Sequence, residues 1–439
     1  MTFLRRPAAA FVAALRVLDI ELRDGRLYLT LAIVAAVFAA YVAMCLKTVV
    51  APPWPHRYGD FHALWASAVV VHDGAAALNY DNDALQARQA ALGIPVNENN
   101  PFPFPPTFLL MLAPLGGLGR GAAFALFMGA TFAGYLWAIA GGRWRDWPRL
   151  VGALVAPATG ITLISGQTGF LSGGLMVGGL RLARTHPLVA GALLGLLAYK
   201  PQLGLLVPVA LASAGLWRVF AAACATVLLS IAASSAVFGA RIWLTWFASL
   251  QAYSRFHPID HLMPTIAANL RMAGASASAA IAAQALVGFC VAAVVWRAFR
   301  GGVSPRAGAL LVIGTFLATP HALNYDMPMT TAAVTWYLTE RVRATHSLFL
   351  SEAVVLSLAL VLPFAMLALG ENGPPISWAP QLWLFSLIAV DPHGRQNANR
   401  LEERRRIALD GGRDWAADDP DAEAARRERP VAPGVDRAA

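Results

Sequence analysis

Long apolar runs, rich in Ala, Leu, Val and Gly and separated by short charged connectors, constrain the fold of this chain more than any other feature. Only 13% of its 439 residues are charged, whereas a soluble domain carries roughly a quarter. In lipid, only helices or a closed barrel satisfy every backbone polar group. The runs lack the alternation of barrel strands. The sequence therefore predicts an all-α polytopic membrane protein with about twelve transmembrane helices.

The charged and apolar segments divide the chain into three parts. They are a basic cytoplasmic N-terminus at 1–27, a transmembrane domain at 28–390 with outer loops at about 51–106 and 239–273, and a charged, disordered cytoplasmic tail at 391–439. The tail has almost no apolar periodicity, which is typical of disorder.

The large first outer loop contains two helix-like stretches, at 61–71 and 84–92. They are predicted to be short interfacial helices. Asp81 and Asp83 stand just before the second stretch, where carboxylates commonly cap a helix. The same acidic pair resembles a metal-binding motif, but capping is the favoured interpretation.

Basic residues are concentrated in alternate connectors, and this alternation predicts the topology. The basic connectors are the N-terminus, 143–149, 181–184, 297–306, 341–343 and the tail. If 107–140 crosses the membrane once, all of these connectors are cytoplasmic. Asp60, Gln167, Lys200 and His321 are then on the outer face. Because the net charge of +9 is spread over these connectors, it indicates membrane orientation and not nucleic-acid binding.

Four polar residues in the predicted outer connectors are candidates for chemistry. Asp60 follows the first span and is either a general base or a solvated carboxylate. Lys200 lies between two apolar segments, where a lysine is costly, and either binds an anion such as phosphate or snorkels to the interface. His321 is either a ligand or a capped loop histidine, and Asp326 could cap the span that follows it.

Short motifs in a characteristic order resemble a known family. They are Asp60, Tyr80-Asp81, Pro105-Pro106 followed by the apolar run 109–115, Gly166-Gln167, Lys200-Pro201-Gln202, Pro320, and Tyr325-Asp326. This order, over about residues 28–390, is similar to that of glycosyltransferase family 87. These are polyprenyl-phosphate-mannose-dependent mannosyltransferase-like proteins of the C-type membrane glycosyltransferases.

The resemblance implies a C-type helical bundle in a bacterial plasma membrane, with its active site on the periplasmic or extracellular face. The donor would be a sugar, expected to be mannose, on a polyprenyl phosphate, and the acceptor a lipid or glycan. Asp60 would be the general base, with Lys200 and His321 near the donor phosphate. The expected substrate-binding residues are Gln167, Gln202, Tyr325, Asp326 and His62. No cofactor and no metal are expected.

The reaction class has one main rival. A transporter or lipid-linked sugar flippase would also have many spans, including Gly- and Pro-broken segments such as 187–208 around Lys200. Such proteins usually contain two-fold repeats, and the sequence shows no convincing repeat. The large polar first loop also favours an enzyme.

For the expected sugar transfer, a single displacement, which inverts the anomeric centre, requires no second carboxylate acting as a nucleophile.

Overall fold

Helices make up nearly all of the regular structure, as the apolar runs predict. The structure is a computed structural model, and it describes residues 21–50, 59–94, 101–141, 147–253, 259–345 and 347–390. One unit comprises Met1–Ala389, and a second comprises Val390–Ala439, of which only Val390 is described. The predicted cytoplasmic tail and most of the predicted N-terminal segment therefore lie outside the described residues.

The first half of the chain contains one short strand and nine helices within the described ranges. They are β1 (Glu21–Arg23), α1 (Asp24–Val50), α2 (Phe61–His72), α3 (Asn82–Ala91), α4 (Pro106–Leu112), α5 (Arg120–Ala140), α6 (Trp147–Val155), α7 (Pro157–Ser165), α8 (Gly169–Leu182) and α9 (Pro187–Leu196).

The second half continues in the same way. It contains α10 (Val207–Ser213), α11 (Trp217–Phe238), α12 (Ile242–Tyr253), α13 (Ile266–Met272), α14 (Ala277–Phe299), α15 (Pro305–Ala318), α16 (Pro328–Thr345), β2 (Ser347–Phe349), α17 (Leu350–Leu369) and α18 (Ala379–Val390). Short 3₁₀ turns join several of these helices, including those at Leu197–Tyr199, Pro201–Gly204 and Asn324–Asp326.

Five of the described helices, α1, α5, α11, α14 and α17, are long and apolar enough to cross a membrane. A sixth span is possible if α6 and α7 act together, although they meet at an angle of 53°. The predicted count of twelve crossings is therefore not confirmed. Prolines explain much of the difference between the predicted and observed numbers of spans. Pro157, Pro187 and Pro201 begin new helices, and they divide the apolar runs into helices too short to cross the membrane alone.

The segment predicted to be the first outer loop forms the two predicted helices, but their surroundings differ from the prediction. Residues 61–70 of α2 are all buried, so this helix is part of the protein core and does not lie on an interface. The second helix, α3, is capped as predicted, since the Asp81 side chain accepts a hydrogen bond from the Ala84 N–H at 3.1 Å. Part of the loop, 51–58 and 95–100, lies outside the described residues.

The strands β1 and β2 form an antiparallel pair that the sequence did not indicate. Glu21 lies opposite Phe349, and Arg23 lies opposite Ser347. The first span also begins earlier than expected, because α1 starts at Asp24 directly after β1. The pair therefore joins the start of α1 to the start of α17.

Three helices extend from the basic connectors to the region where the candidate residues lie. Helix α15 is buried from Ala307 to Ala318 and ends just before His321. Helix α8 begins directly after Gln167 and Thr168, and α16 begins two residues after Asp326. The helix ends thus bring together motifs that are far apart in sequence.

Candidate active site

The Asp60 motif and the Gly166-Gln167 motif meet through a close backbone contact. The Asp60 N–H donates to the Ser165 carbonyl at 2.8 Å. A Cβ atom at Gly59 would lie 2.4 Å from the Ile164 carbonyl oxygen, and the φ of Gly59 is +52°, so both sterics and backbone conformation require glycine there. Gln167 then donates from Nε2 to the Asp60 carboxylate at 3.2 Å. The half-buried Asp60 carboxylate is thereby oriented by a neighbouring loop.

The Tyr325-Asp326 motif packs against the same loop. The Thr162 hydroxyl donates to the Tyr325 carbonyl at 3.1 Å. A Cβ atom at Gly169 would lie only 1.9 Å from that carbonyl oxygen, so no side chain fits at this position without displacing the backbone. The Gly166–Gly169 loop, residues 166–169, is therefore in contact with both Asp60 and the Asn324–Asp326 turn.

Tyr199 anchors the segment that carries Lys200. Its hydroxyl lies 2.5 Å from the Ser172 hydroxyl and donates to the Thr168 carbonyl at 3.2 Å. The chain leaves helical geometry at Lys200, between α9 and Pro201. Two consecutive residues of the Gly166–Gly169 loop thus contact the segments that carry Asp60 and Lys200. Gln167 contacts Asp60, and Thr168 contacts Tyr199, the residue before Lys200.

Lys200 is almost completely buried and is paired with a carboxylate. Its Nζ atom lies 2.6 Å from Asp326 Oδ1, and the two side chains are only 5% and 2% exposed. The second Asp326 oxygen accepts from the Leu323 N–H at 3.2 Å. An anion such as phosphate is one predicted partner for Lys200, and in the structure the partner of its ammonium group is the Asp326 carboxylate. Asp326 closes its own 3₁₀ turn as it pairs with Lys200.

Two aromatic rings flank the ammonium group of Lys200. Its Nζ atom lies 4.8 Å from the centre of the Tyr325 ring and 5.5 Å from that of Phe104. The Tyr80 hydroxyl donates to the Phe104 carbonyl at 3.1 Å, which fixes the proline-rich segment before α4. Aromatic faces favour a nearby cation. The sequence did not identify Phe104 as a site residue.

His321 lies in the loop between α15 and the Asn324–Asp326 turn. Its N–H donates to the Thr319 hydroxyl at 3.3 Å. Burial lowers the pKa of His321 below its usual value, the charge of Lys200 lowers it further, and the charge of Asp326 opposes both effects. The imidazole is therefore mainly neutral at pH 7 and can donate one hydrogen bond and accept another.

An ion pair from the second predicted outer loop adds a cation near His321. Arg271 donates to both oxygens of Asp260, at 2.9 and 2.5 Å. The Thr265 hydroxyl donates to the Pro320 carbonyl at 3.3 Å, which connects the start of α13 to the His321 loop. The charges of Arg271 and Asp260 both act on the pKa of His321. No motif in the sequence indicates this pair, although both residues stand in a predicted outer loop.

Two further predicted substrate-binding residues lie in α2 and in the Pro201–Gly204 turn. His62 is 1% exposed within α2, and Gln202 is half-buried in the Pro201–Gly204 turn. Their roles stay predictions. Across the described ranges, no three His, Cys, Asp or Glu side chains are grouped closely enough to hold a metal ion.

Comparison with known proteins gives one family match. The model described as Glycosyltransferase family 87 matches residues 102–320. No match was found among curated proteins or among solved structures. The matched segment includes Phe104, Gln167, Lys200 and Arg271. Asp60 and Asp326 lie outside it, yet each contacts a residue within it.

Proposed function

The chain belongs to glycosyltransferase family 87, and on that premise we propose that it transfers a sugar, with mannose the expected one, from a polyprenyl phosphate to a lipid or glycan acceptor. One observation carries the proposal. The Gly166–Gly169 loop contacts both an oriented carboxylate, Asp60, and the segment bearing a buried cation, Lys200. Sugar transfer from a lipid phosphate requires two such groups, which are a proton acceptor and a partner for the leaving phosphate.

The reaction proceeds in one displacement. The acceptor hydroxyl oxygen forms a bond to the anomeric carbon as its proton passes to the Asp60 carboxylate. The bond from that carbon to the phosphate oxygen breaks, and its electron pair remains on the lipid phosphate. The donor is a phosphodiester, whereas the departing lipid phosphate is a monoester with an additional negative charge. The anomeric configuration inverts because only one displacement occurs.

Lys200 is suited to this developing charge because it is positioned before the donor arrives. Asp326 and the two aromatic rings hold the ammonium group in a site from which water is largely excluded. In such surroundings a fixed cation stabilises an anion more strongly than in water. Asp326 acts as a positioning residue, and neutral His321 can supply a further hydrogen bond to the phosphate.

Basic residues at the ends of α8 and α15 that lie far from the candidate site support an active site on the outer face. Arg181, near the end of α8, donates to the carbonyls of Ala138 and Ile139 at the end of α5. Arg184 closely approaches Gly302, just before α15. Helices α8 and α15 thus have one end at the candidate site and the other among basic residues. By the positive-inside rule, the basic end is cytoplasmic.

Labelling of single cysteines tests this topology. With the three native cysteines replaced by alanine, Asn372→Cys should react with a membrane-impermeant maleimide in intact cells. Arg300→Cys, at the predicted cytoplasmic end, should react only after lysis. Both positions are exposed, so accessibility within the protein is comparable. The reverse pattern would show that the active site faces the cytoplasm.

A reconstituted transfer assay tests the reaction. The purified protein in lipid vesicles is expected to move mannose from polyprenyl-phosphate mannose onto a membrane lipid or glycan extract, with release of polyprenyl phosphate and inversion at the anomeric carbon. Donors bearing other hexoses or a pentose identify the preferred sugar. Movement of the lipid-linked sugar across the vesicle membrane with no sugar transferred to any acceptor would support the flippase alternative.

A further inference from the structure

A cavity of about 260 Å³ lies beside α17, away from the Asp60 and Lys200 side chains. Its walls from α17 are Leu358, Leu362, Ala365, Met366 and Leu369. The spacing of three and four residues places these side chains on one face of the helix. The eleven steps along the helix from Leu358 to Leu369 span about 16 Å, and α17 is long and apolar enough to cross a membrane. The cavity, here called the α17 groove, therefore follows the direction of a membrane-crossing helix.

The opening of the α17 groove is polar and is built partly by the second outer loop. His261, Asn269 and Ser377 are among its lining residues. Asn269 Nδ2 donates to the Ser377 hydroxyl at 2.9 Å, and the Ser377 N–H donates to Asn269 Oδ1 at 2.9 Å. These reciprocal bonds attach α13 to the segment before α18, so the loop forms a fixed edge of the groove.

The Asp260–Arg271 ion pair is adjacent in sequence to two residues that line the α17 groove. His261 and Met272, which line the groove, are the sequence neighbours of Asp260 and Arg271. Asp260 engages Nε and Nη2 of Arg271, which leaves Nη1 without a hydrogen bond to the described residues. The Arg271 side chain is 29% exposed. A guanidinium group in this arrangement can still bind a phosphate oxygen.

The same loop connects the groove to the candidate active site. The Thr265 hydroxyl bonds to the Pro320 carbonyl, next to His321, and both Lys200 and Arg271 act electrostatically on the His321 ring. An apolar groove, an arginine next in sequence to one of its lining residues, and then His321 and Lys200 thus follow one another. This order matches a single apolar chain that ends in a phosphate.

We infer that the α17 groove holds the isoprenoid chain of the lipid-phosphate donor, and that Arg271 is a second cationic partner of its phosphate. The assignment of the chain to the donor rests on the proposed function. Chain binding by the groove does not require sugar transfer, so it can be measured separately.

Photo-crosslinking with a long-chain polyprenyl phosphate tests the groove. The probe carries a diazirine in its chain and no sugar. In the full-length protein it should label peptides from the 358–369 region of α17. Ala365→Trp fills the groove and should reduce labelling about tenfold, the effect of losing contact with roughly two methylene groups. Ala368→Trp is the matched control, because Ala368 is exposed on the same helix and does not line the groove.

Arg271 is tested by the affinity for the same probe. Arg271→Gln should weaken binding about tenfold or more, as expected for loss of a charge-assisted hydrogen bond, and Arg271→Lys should restore part of the affinity. The two Arg271 variants also keep the inference testable if Ala365→Trp does not fold. An uncharged polyprenol probe should lose little affinity in Arg271→Gln, whereas a purely structural role of Arg271 would weaken both probes equally.

Three results would overturn the inference. They are labelling confined to other helices, equal labelling of Ala365→Trp and Ala368→Trp, and equally strong labelling by a diacyl phospholipid probe, which would assign the groove to acceptor or bulk lipid. Sugar transfer without groove labelling would contradict the groove alone. Groove labelling in a protein that transfers no sugar would contradict the proposed function alone.

Discussion

Replacing Asp60 by asparagine is expected to reduce sugar transfer by about 10²-fold or more, the usual scale for loss of a general base. Asparagine preserves the size of the side chain and can keep a hydrogen bond to Gln167, but it cannot accept the proton of the acceptor hydroxyl. Donor binding should remain close to that of the unmodified protein, because the phosphate is held elsewhere. The measurements are turnover with polyprenyl-phosphate sugar and affinity for polyprenyl phosphate.

Asp83→Asn is the control for Asp60→Asn. Asp83 is an exposed carboxylate in the first turn of α3, and its replacement should leave turnover nearly unchanged. Near-normal transfer by well-folded Asp60→Asn protein would show that the base is misassigned. Asp326 would then be the next carboxylate to examine, because it is the other acidic group attached to the Gly166–Gly169 loop region.

Much of the site could be predicted because its residues stand at the ends of apolar runs. Asp60, Gln167, Lys200 and Asp326 all interrupt or follow such runs, and polar groups there are unusual enough to be noticed. In the structure they form two contacting pairs, Asp60 with Gln167 and Lys200 with Asp326. The structure confirms that Asp81 caps a helix.

Pairings between distant segments could not be predicted from one sequence. Lys200 and Asp326 are 126 residues apart, and no local pattern indicates that one compensates the other. Arg271 stands in the short helix α13 and Phe104 in the proline-rich segment before α4, and the placement of both segments depends on tertiary contacts. The β1–β2 pair is only three residues long on each side, too short for a recognisable alternating pattern. The number of crossings also depended on where prolines divide the helices.

Replacing Lys200 by alanine is expected to reduce stability, donor binding and turnover together. The change leaves the 2%-exposed Asp326 carboxylate without its cation, and breaking a buried pair in this way typically costs about 3–5 kcal/mol. It also removes the charge that stabilises the leaving phosphate. The measurements are the melting temperature in detergent, the affinity for polyprenyl phosphate, and kcat. Lys47→Ala is the control, because Lys47 is the only other lysine and is exposed on α1.

The double variant Lys200→Ala/Asp326→Ala separates the structural role of Lys200 from its chemical role. Removing both charges eliminates the uncompensated carboxylate, so much of the lost melting temperature should return. Donor binding and turnover should not return, because the phosphate still lacks its cationic partner. Lys200→Arg keeps the charge and should retain more donor affinity than alanine, although the geometry of its guanidinium group differs. If the double variant regains turnover along with stability, Lys200 serves only to neutralise Asp326, and the phosphate must be stabilised by other groups, with Arg271 the first to test.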